Sequence, residues 1–379
     1  MFKNAIDIFK VFGFRIKVDP SWFVIVALIV WSLSTAYFPD ALPGYTRAGY
    51  ILLSILAALG LFGSLILHEL SHSLVARRFG VKIAGITLFI FGGVAELEKE
   101  PANAKSEFWI AIAGPVMSLF LGGGALVISA VIESSGLSRA GAVLFSYLGL
   151  INLVLAAFNM VPAFPLDGGR ILRAALWAYR GDLIWATRIA STAGSIFGYA
   201  LVFSGLWALF SGVTVGGLWQ ILIGMFVLSA SKGTYRHLVT KEALKDQTVR
   251  ALMTQQSWMA SPTDTLDHVV NDIMLGHNVS FVPVLDGVRL LGYVDTALAQ
   301  KTGRDKWADT LVGDAYVSAS EANTIAPDTP TQDLMEKIAK TGQRKFLVSD
   351  GNALLGVITL ADLTTYLAIR QGLGGPARA

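Results

Sequence analysis

The feature that most constrains this chain is a series of apolar runs before residue 235, each close to the roughly 20 residues a helix needs to cross a bilayer. Six stand out: Trp22–Phe38, Gly49–Val75, Phe108–Ile132, Ala140–Val161, Ile189–Phe210 and Val215–Ser231. Charge is correspondingly scarce. Only 15% of the 379 residues are charged, against about 25% in soluble globular chains, and the shortfall lies almost entirely in this first part. The later sequence reads as an ordinary soluble domain. The opening residues up to Asp19 are mixed and charged, with no apolar core ahead of a small-residue cleavage site, so no signal peptide is expected.

The charges between the runs alternate. Lys3, Lys10, Arg15 and Lys17 precede the first; Arg77, Arg78, Lys82, Lys99 and Lys105 follow the second. Arg170, Arg173, Arg180 and Arg188 follow the fourth, and Lys232, Arg236 and Lys241 the sixth. The remaining connections hold Arg47, Arg139 and nothing. The positive-inside rule then puts both termini in the cytoplasm of a multi-pass cell-membrane protein, as an even number of spans requires. The net charge of +3 is too small to argue for nucleic acid as a partner. Without cysteine, disulfides, thiolate metal sites and cysteine catalysis are excluded.

Val81–Leu97 does not fit a spanning helix. Gly85 and Gly92-Gly93 break it, and Ile86–Phe91 is rich in β-branched and aromatic residues. It reads as a strand or hairpin, which must lie against protein or a water-filled cavity because lipid does not tolerate open strands. A cytoplasmic connecting hairpin is the alternative. Residues 1–19 either lie along the membrane surface or add a strand to this hairpin.

After Lys241 the chain repeats itself. Ser261-Pro262-Thr263-Asp264-Thr265-Leu266 is answered by Ala326-Pro327-Asp328-Thr329-Pro330-Thr331, and Leu290-Leu291-Gly292-Tyr293-Val294 by Leu354-Leu355-Gly356-Val357-Ile358. A period of about 65 residues implies two similar α/β units packed together. The expected organisation is a membrane domain over 1–235 and repeat copies over 245–310 and 311–372.

The sharpest chemical signal is His68-Glu69-Leu70-Ser71-His72. Positions i and i+4 share a helix face, so both imidazoles can reach one metal with Glu69 beside it. Neutral imidazoles suit zinc, and a nearby glutamate can serve as general base. The motif lies inside the second apolar run, where an ionisable residue is costly and points to function. A catalytic zinc usually takes three protein ligands. Carboxylates are nearly absent from the spans, and Asp167 stands out within Asn159-Met160-Val161-Pro162-Ala163-Phe164-Pro165-Leu166-Asp167-Gly168-Gly169-Arg170. Taken alone, Asp167 reads equally as a helix-terminal turn residue. However, the second and fourth spans run in the same direction, which places both groups at the same cytoplasmic depth.

These motifs resemble the site-2 protease family of intramembrane zinc metalloproteases, specifically members with a pair of cystathionine-β-synthase (CBS) domains. The resemblance covers nearly the whole chain. It implies a polytopic α-helical membrane protein of about six transmembrane helices with a membrane-associated β-hairpin, followed by a cytoplasmic α/β CBS pair. It also implies that His68, His72 and Asp167 ligate one zinc ion per chain and that Glu69 is the catalytic base. Phe91-Gly92-Gly93 and Ala113-Gly114-Pro115 look like family landmarks. Ser118 departs from the Asn that relatives often place there, which touches a detail of helix packing.

Gly92, Gly93 and Asn159 are candidates for holding substrate. Asn159 is suited to the substrate backbone or the oxyanion, and equally to a polar helix contact. The strand at Ile86–Phe91 could hold an unwound substrate by edge pairing. The implied substrate is a single-span membrane protein, such as an anti-sigma factor, met in the lipid bilayer. In the second CBS copy, Thr359 and Asp362 stand where family members bind an adenine nucleotide (ATP, ADP or AMP). The first copy has Asp295 and Leu298 there, so one site is expected. A pair used only for packing or homodimer formation is the alternative. The expected coupling runs through Lys232–Lys245 to the loop at Glu96–Lys105. A CBS-gated channel or transporter is the competing function; it accounts for the spans but not for the His-Glu-His spacing.

Overall fold

The computed structural model describes residues 5–97, 100–255, 258–351 and 353–372. Lys3, Glu98 and Lys99, which entered the charge and loop expectations, lie outside the described residues. The chain forms two compact units, Met1–Arg236 and His237–Ala379.

In the first unit, α1 (Ser21–Ala41), α2 (Arg47–Arg78), α3 (Ala104–Ser135), α4 (Arg139–Asn159) and α6 (Leu183–Phe210) are each long and apolar enough to cross a membrane. Between α4 and α6 lies the shorter α5 (Asp167–Arg180). The sixth expected run falls within α7 (Thr214–Leu244). Polar side chains start these helices by satisfying free N–H groups. Thr46 accepts from Gly49 N–H, Ser138 from Gly141 N–H and Asp182 from Trp185 N–H. Asn103 and Ser106 form a reciprocal capping box at α3. The outer faces of the long helices present Phe120, Val127, Phe203, Trp207 and Phe210, all largely exposed. That is the side-chain chemistry of a lipid-facing surface.

Four strands form one sheet in the order β1 (Ile6–Val11), β2 (Phe14–Val18), β3 (Ile83–Phe89), β4 (Gly92–Leu97). The N-terminal residues thus do add to the hairpin: β2 runs parallel to β3, with Ile16 opposite Ile86 and Val18 opposite Leu88. Alternation places Phe14, Ile16 and Val18 on one face. With Ile86 and Leu88 they bury against Phe62, Leu65 and Leu70 of α2. Two expectations for this region are corrected. Phe91 lies in the β3–β4 turn, where it stacks on Phe226. In addition, β3 is hydrogen-bonded on both sides, so the strand centred on Ile86 has no edge to offer a substrate; the outer strand of the hairpin is β4.

Among its described residues the second unit holds two three-stranded sheets. One contains β5 (Phe281–Asp286), β6 (Arg289–Asp295) and β7 (Val317–Ser318). The other contains β8 (Thr324–Ile325), β9 (Lys345–Asp350) and β10 (Ala353–Thr359). Phe281 and Tyr293 of the first copy pack against Leu347 and Val357 of the second. The two copies exchange flanking segments. Leu244 and Val249 join the core of the second copy, with Val249 N–H donating to Thr329 C=O at 2.9 Å. Val312 joins the core of the first, its N–H donating to Asp264 C=O at 2.9 Å. A division at 310/311 follows the sequence repeat, whereas the cores interleave across it.

Candidate metal centre

Helical periodicity brings His68 and His72 to one buried face of α2. Their Nε2 atoms lie 3.2 Å apart, and each lies 3.2 Å from Oδ2 of Asp167. Asp167 reaches them because α4 ends at Asn159 and a turn through Pro162 and Pro165 leads directly into α5, whose first residue it is. That turn is anchored: Phe164 N–H donates to Ala190 C=O at 3.3 Å, and Ser231 Oγ–H donates to Phe164 C=O.

The far side of each ring is held by α3. His72 Nδ1 is 2.6 Å from the carbonyl oxygen of Ile110, which can only accept, so Nδ1 carries the proton. In the neutral ring Nε2 then presents a lone pair to Asp167 Oδ2, itself an acceptor. His68 Nδ1 lies 2.8 Å from Ser118 Oγ. Ser118 Oγ can donate or accept, so it is the Ile110 contact alone that fixes a tautomer; the His72 Nε2 and Asp167 Oδ2 acceptors repel each other unless a proton or a cation lies between them. The chemistry of this donor set fits zinc, whose ligand atoms at about 2.1 Å in a tetrahedral arrangement lie roughly 3.4 Å from one another.

Two glycines leave the space that this arrangement needs. A Cβ on Gly114 would lie 2.2 Å from Nε2 of His72 and 2.5 Å from Nε2 of His68. A Cβ on Gly93 would lie 2.7 Å from Cγ of Glu69, so β4 passes directly beside the candidate base. Glu69 is half-buried on the same helix as the two histidines.

The other sequence candidates distribute as follows. Gly92 opens β4 with a φ of +133°, a conformation favouring glycine. Asn159 ends α4 half-buried, and among the described residues no hydrogen bond joins it to the candidate cluster of His68, His72 and Asp167. Thr359 and Asp362 lie in the second unit and bond to each other: Asp362 Oδ2 accepts from the N–H and the hydroxyl of Thr359, both at 2.8 Å. Ser118 is corrected from a packing detail to the partner of His68. Sequence reasoning missed Ile110 altogether, since a backbone acceptor carries no residue signature.

Known proteins match along the same lines. The model of peptidase family M50 matches residues 56–142 and 130–205, and that of the CBS domain matches 249–296 and 312–369. Rip3 of Mycobacterium tuberculosis (strain ATCC 25618 / H37Rv), which carries a zinc-metalloprotease name, is 34% identical over 97% of this chain and 94% of its own length. Zinc metalloprotease MJ0392 of Methanocaldococcus jannaschii is 32% identical over 82% of this chain and 84% of its own. Among solved structures, the site-2 protease from Methanocaldococcus jannaschii is 31% identical, covers 60% of this chain and 94% of that one, and has a TM-score of 0.45. The chain therefore belongs to peptidase family M50, the site-2 protease family of intramembrane zinc metalloproteases, in a form carrying a C-terminal CBS pair.

Proposed function

We propose that this protease hydrolyses peptide bonds in or near transmembrane segments of single-span membrane proteins. In this reading His68, His72 and Asp167 hold the zinc and Glu69 is the general base. The observation that carries it is the convergence, at 3.2 Å spacings, of two imidazole nitrogens from a long apolar helix and Asp167 Oδ2 from α5, with Glu69 next to His68 in sequence. A channel reading gives no reason for these three atoms to converge beside Glu69. When bound, zinc supplies a water activated near neutral pH and a Lewis acid for the scissile carbonyl. Glu69 takes a proton at its carboxylate and passes it to the leaving nitrogen. Ile110 and Ser118 fix the ring orientations, as outer partners of metal-bound histidines generally do.

A substrate helix must unwind before its carbonyls can be attacked, and β4, beside Glu69, is the strand suited to take up the unwound piece by edge pairing. Gly92 and Gly93 keep that approach open, and Asn159 is suited to the substrate backbone. The charge pattern supports cytoplasmic termini, and with them a cytoplasmic CBS pair and a centre at the cytoplasmic side. A regulatory protein such as an anti-sigma factor fits the substrate class.

Adenine nucleotide is proposed to bind once, at Thr359 and Asp362. In the first copy Asp295 and Leu298 stand at the positions of Thr359 and Asp362: a carboxylate repels phosphate, and a leucine offers ribose no hydrogen bond. The activity reading is tested with purified Glu69→Gln acting on a single-span substrate in detergent. Cleavage should fall about 100-fold or more with zinc retained. Near-normal cleavage removes Glu69 from its role.

A further inference from the structure

Glu107 and Arg173, on different helices, are both buried. Glu107 sits in the first turn of α3 with no exposed surface, and Arg173 of α5 is 5% exposed. Arg173 donates to Oε1 of Glu107 through both Nε, at 2.7 Å, and Nη2. The guanidinium also lies over the ring of Phe164, 4.9 Å from its centroid. Read from charge pattern alone, Arg173 is a topology signal at the membrane surface; in the structure it is an interior cation. Burying two charges is expensive, and a well-packed apolar pair would usually join helices as firmly. A directed guanidinium–carboxylate pair adds a defined orientation.

The location of the pair gives that orientation a use. Three residues beyond Glu107, Ile110 C=O accepts from His72; further along α3, Gly114 leaves space for both rings and Ser118 bonds His68. On the other side, Arg173 shares α5 with Asp167 and covers Phe164 in the turn that delivers it. The pair thus ties the helix that orients both histidines to the helix and turn that supply the carboxylate.

We infer that Glu107 and Arg173 are positioning residues that set the distance and angle between Asp167 and the two imidazoles. They do so without touching metal or substrate. The inference rests on the metal-ligand reading above. It is tested on the full chain in detergent with Co²⁺ as probe, measuring affinity by chelator competition, the visible spectrum of the bound ion and thermal unfolding. Glu107→Gln should weaken Co²⁺ binding about 10- to 100-fold, the range for lost outer-shell partners, and change the spectrum. The double variant Glu107→Leu with Arg173→Leu should recover wild-type unfolding but neither the affinity nor the spectrum. Wild-type affinity and spectrum in the double variant would reduce the pair to packing and overturn the inference. Failure of both variants to fold would make the pair a folding element and overturn it equally. A wild-type chain that takes up no Co²⁺ would instead sink the metal-centre reading itself.

Discussion

The metal centre and the CBS pair both gather polar side chains, but they use them in opposite ways. At His68, His72 and Asp167 two imidazole nitrogens and a carboxylate oxygen meet at 3.2 Å spacings, while the outer ring nitrogens turn away to Ser118 and Ile110. In the second CBS copy, Asp362 accepts from Thr359 twice; in the first, Asp295 caps a helix and pairs with Lys345. One region turns its ligand-type atoms toward a common point. The other satisfies itself. A centre of the first kind is organised around a resident ion and should fail when its geometry is disturbed, whereas a ligand of the second must compete with internal hydrogen bonds and should bind with modest affinity.

The contrast predicts a hierarchy of effects. Gly114→Ala should be the most damaging, since its Cβ would occupy space 2.2 Å from Nε2 of His72. Zinc should be lost and cleavage should fall about 100-fold or more, as expected for misplaced catalytic groups; metal analysis and a substrate assay on the purified variant would show both. Ser118→Ala should be milder. Losing the partner of His68 should weaken zinc about 10- to 100-fold, and Ser118→Asn, which keeps a hydrogen-bonding group, should restore most of it. Chelator titration separates the two variants. Asp362→Ala should have the smallest effect: nucleotide affinity of the full chain, measured by calorimetry, should drop about 10-fold with zinc content unchanged. If ATP, ADP and AMP all fail to bind the wild-type chain at millimolar concentration, the pair is a structural module and the comparison holds only for its metal half.

Much of this was legible because some contacts follow chain periodicity. A spacing of four residues places His68 and His72 on one face, and proline breaks that free a backbone point to Asp167. The β-branched run near Ile86 likewise announces a strand, whereas residues 1–19 left a surface segment and an added strand equally open until packing decided between them. What sequence could not supply were contacts between distant helices. Ser118 is 50 residues from His68, and Ile110 acts through its carbonyl. Gly114 could be seen as a landmark, but its function, the absence of a Cβ beside two rings, appears only once α2 and α3 are packed. Arg173 and Arg180 look alike in a charge count, and packing distinguishes them by burying Arg173 against Glu107. The CBS repeat shows two copies without showing that each lends its flanking segment to the core of the other.

The central claim is that His68, His72 and Asp167 together hold one zinc ion beside Glu69. Metal analysis with zinc-edge X-ray absorption on the purified full chain tests it most directly, applied to the wild type, Asp167→Ala and Glu69→Gln. The account predicts one zinc per chain with two imidazole ligands and oxygen, loss of that zinc in Asp167→Ala and its retention in Glu69→Gln. Full zinc occupancy with an unchanged ligand signature in Asp167→Ala would contradict it.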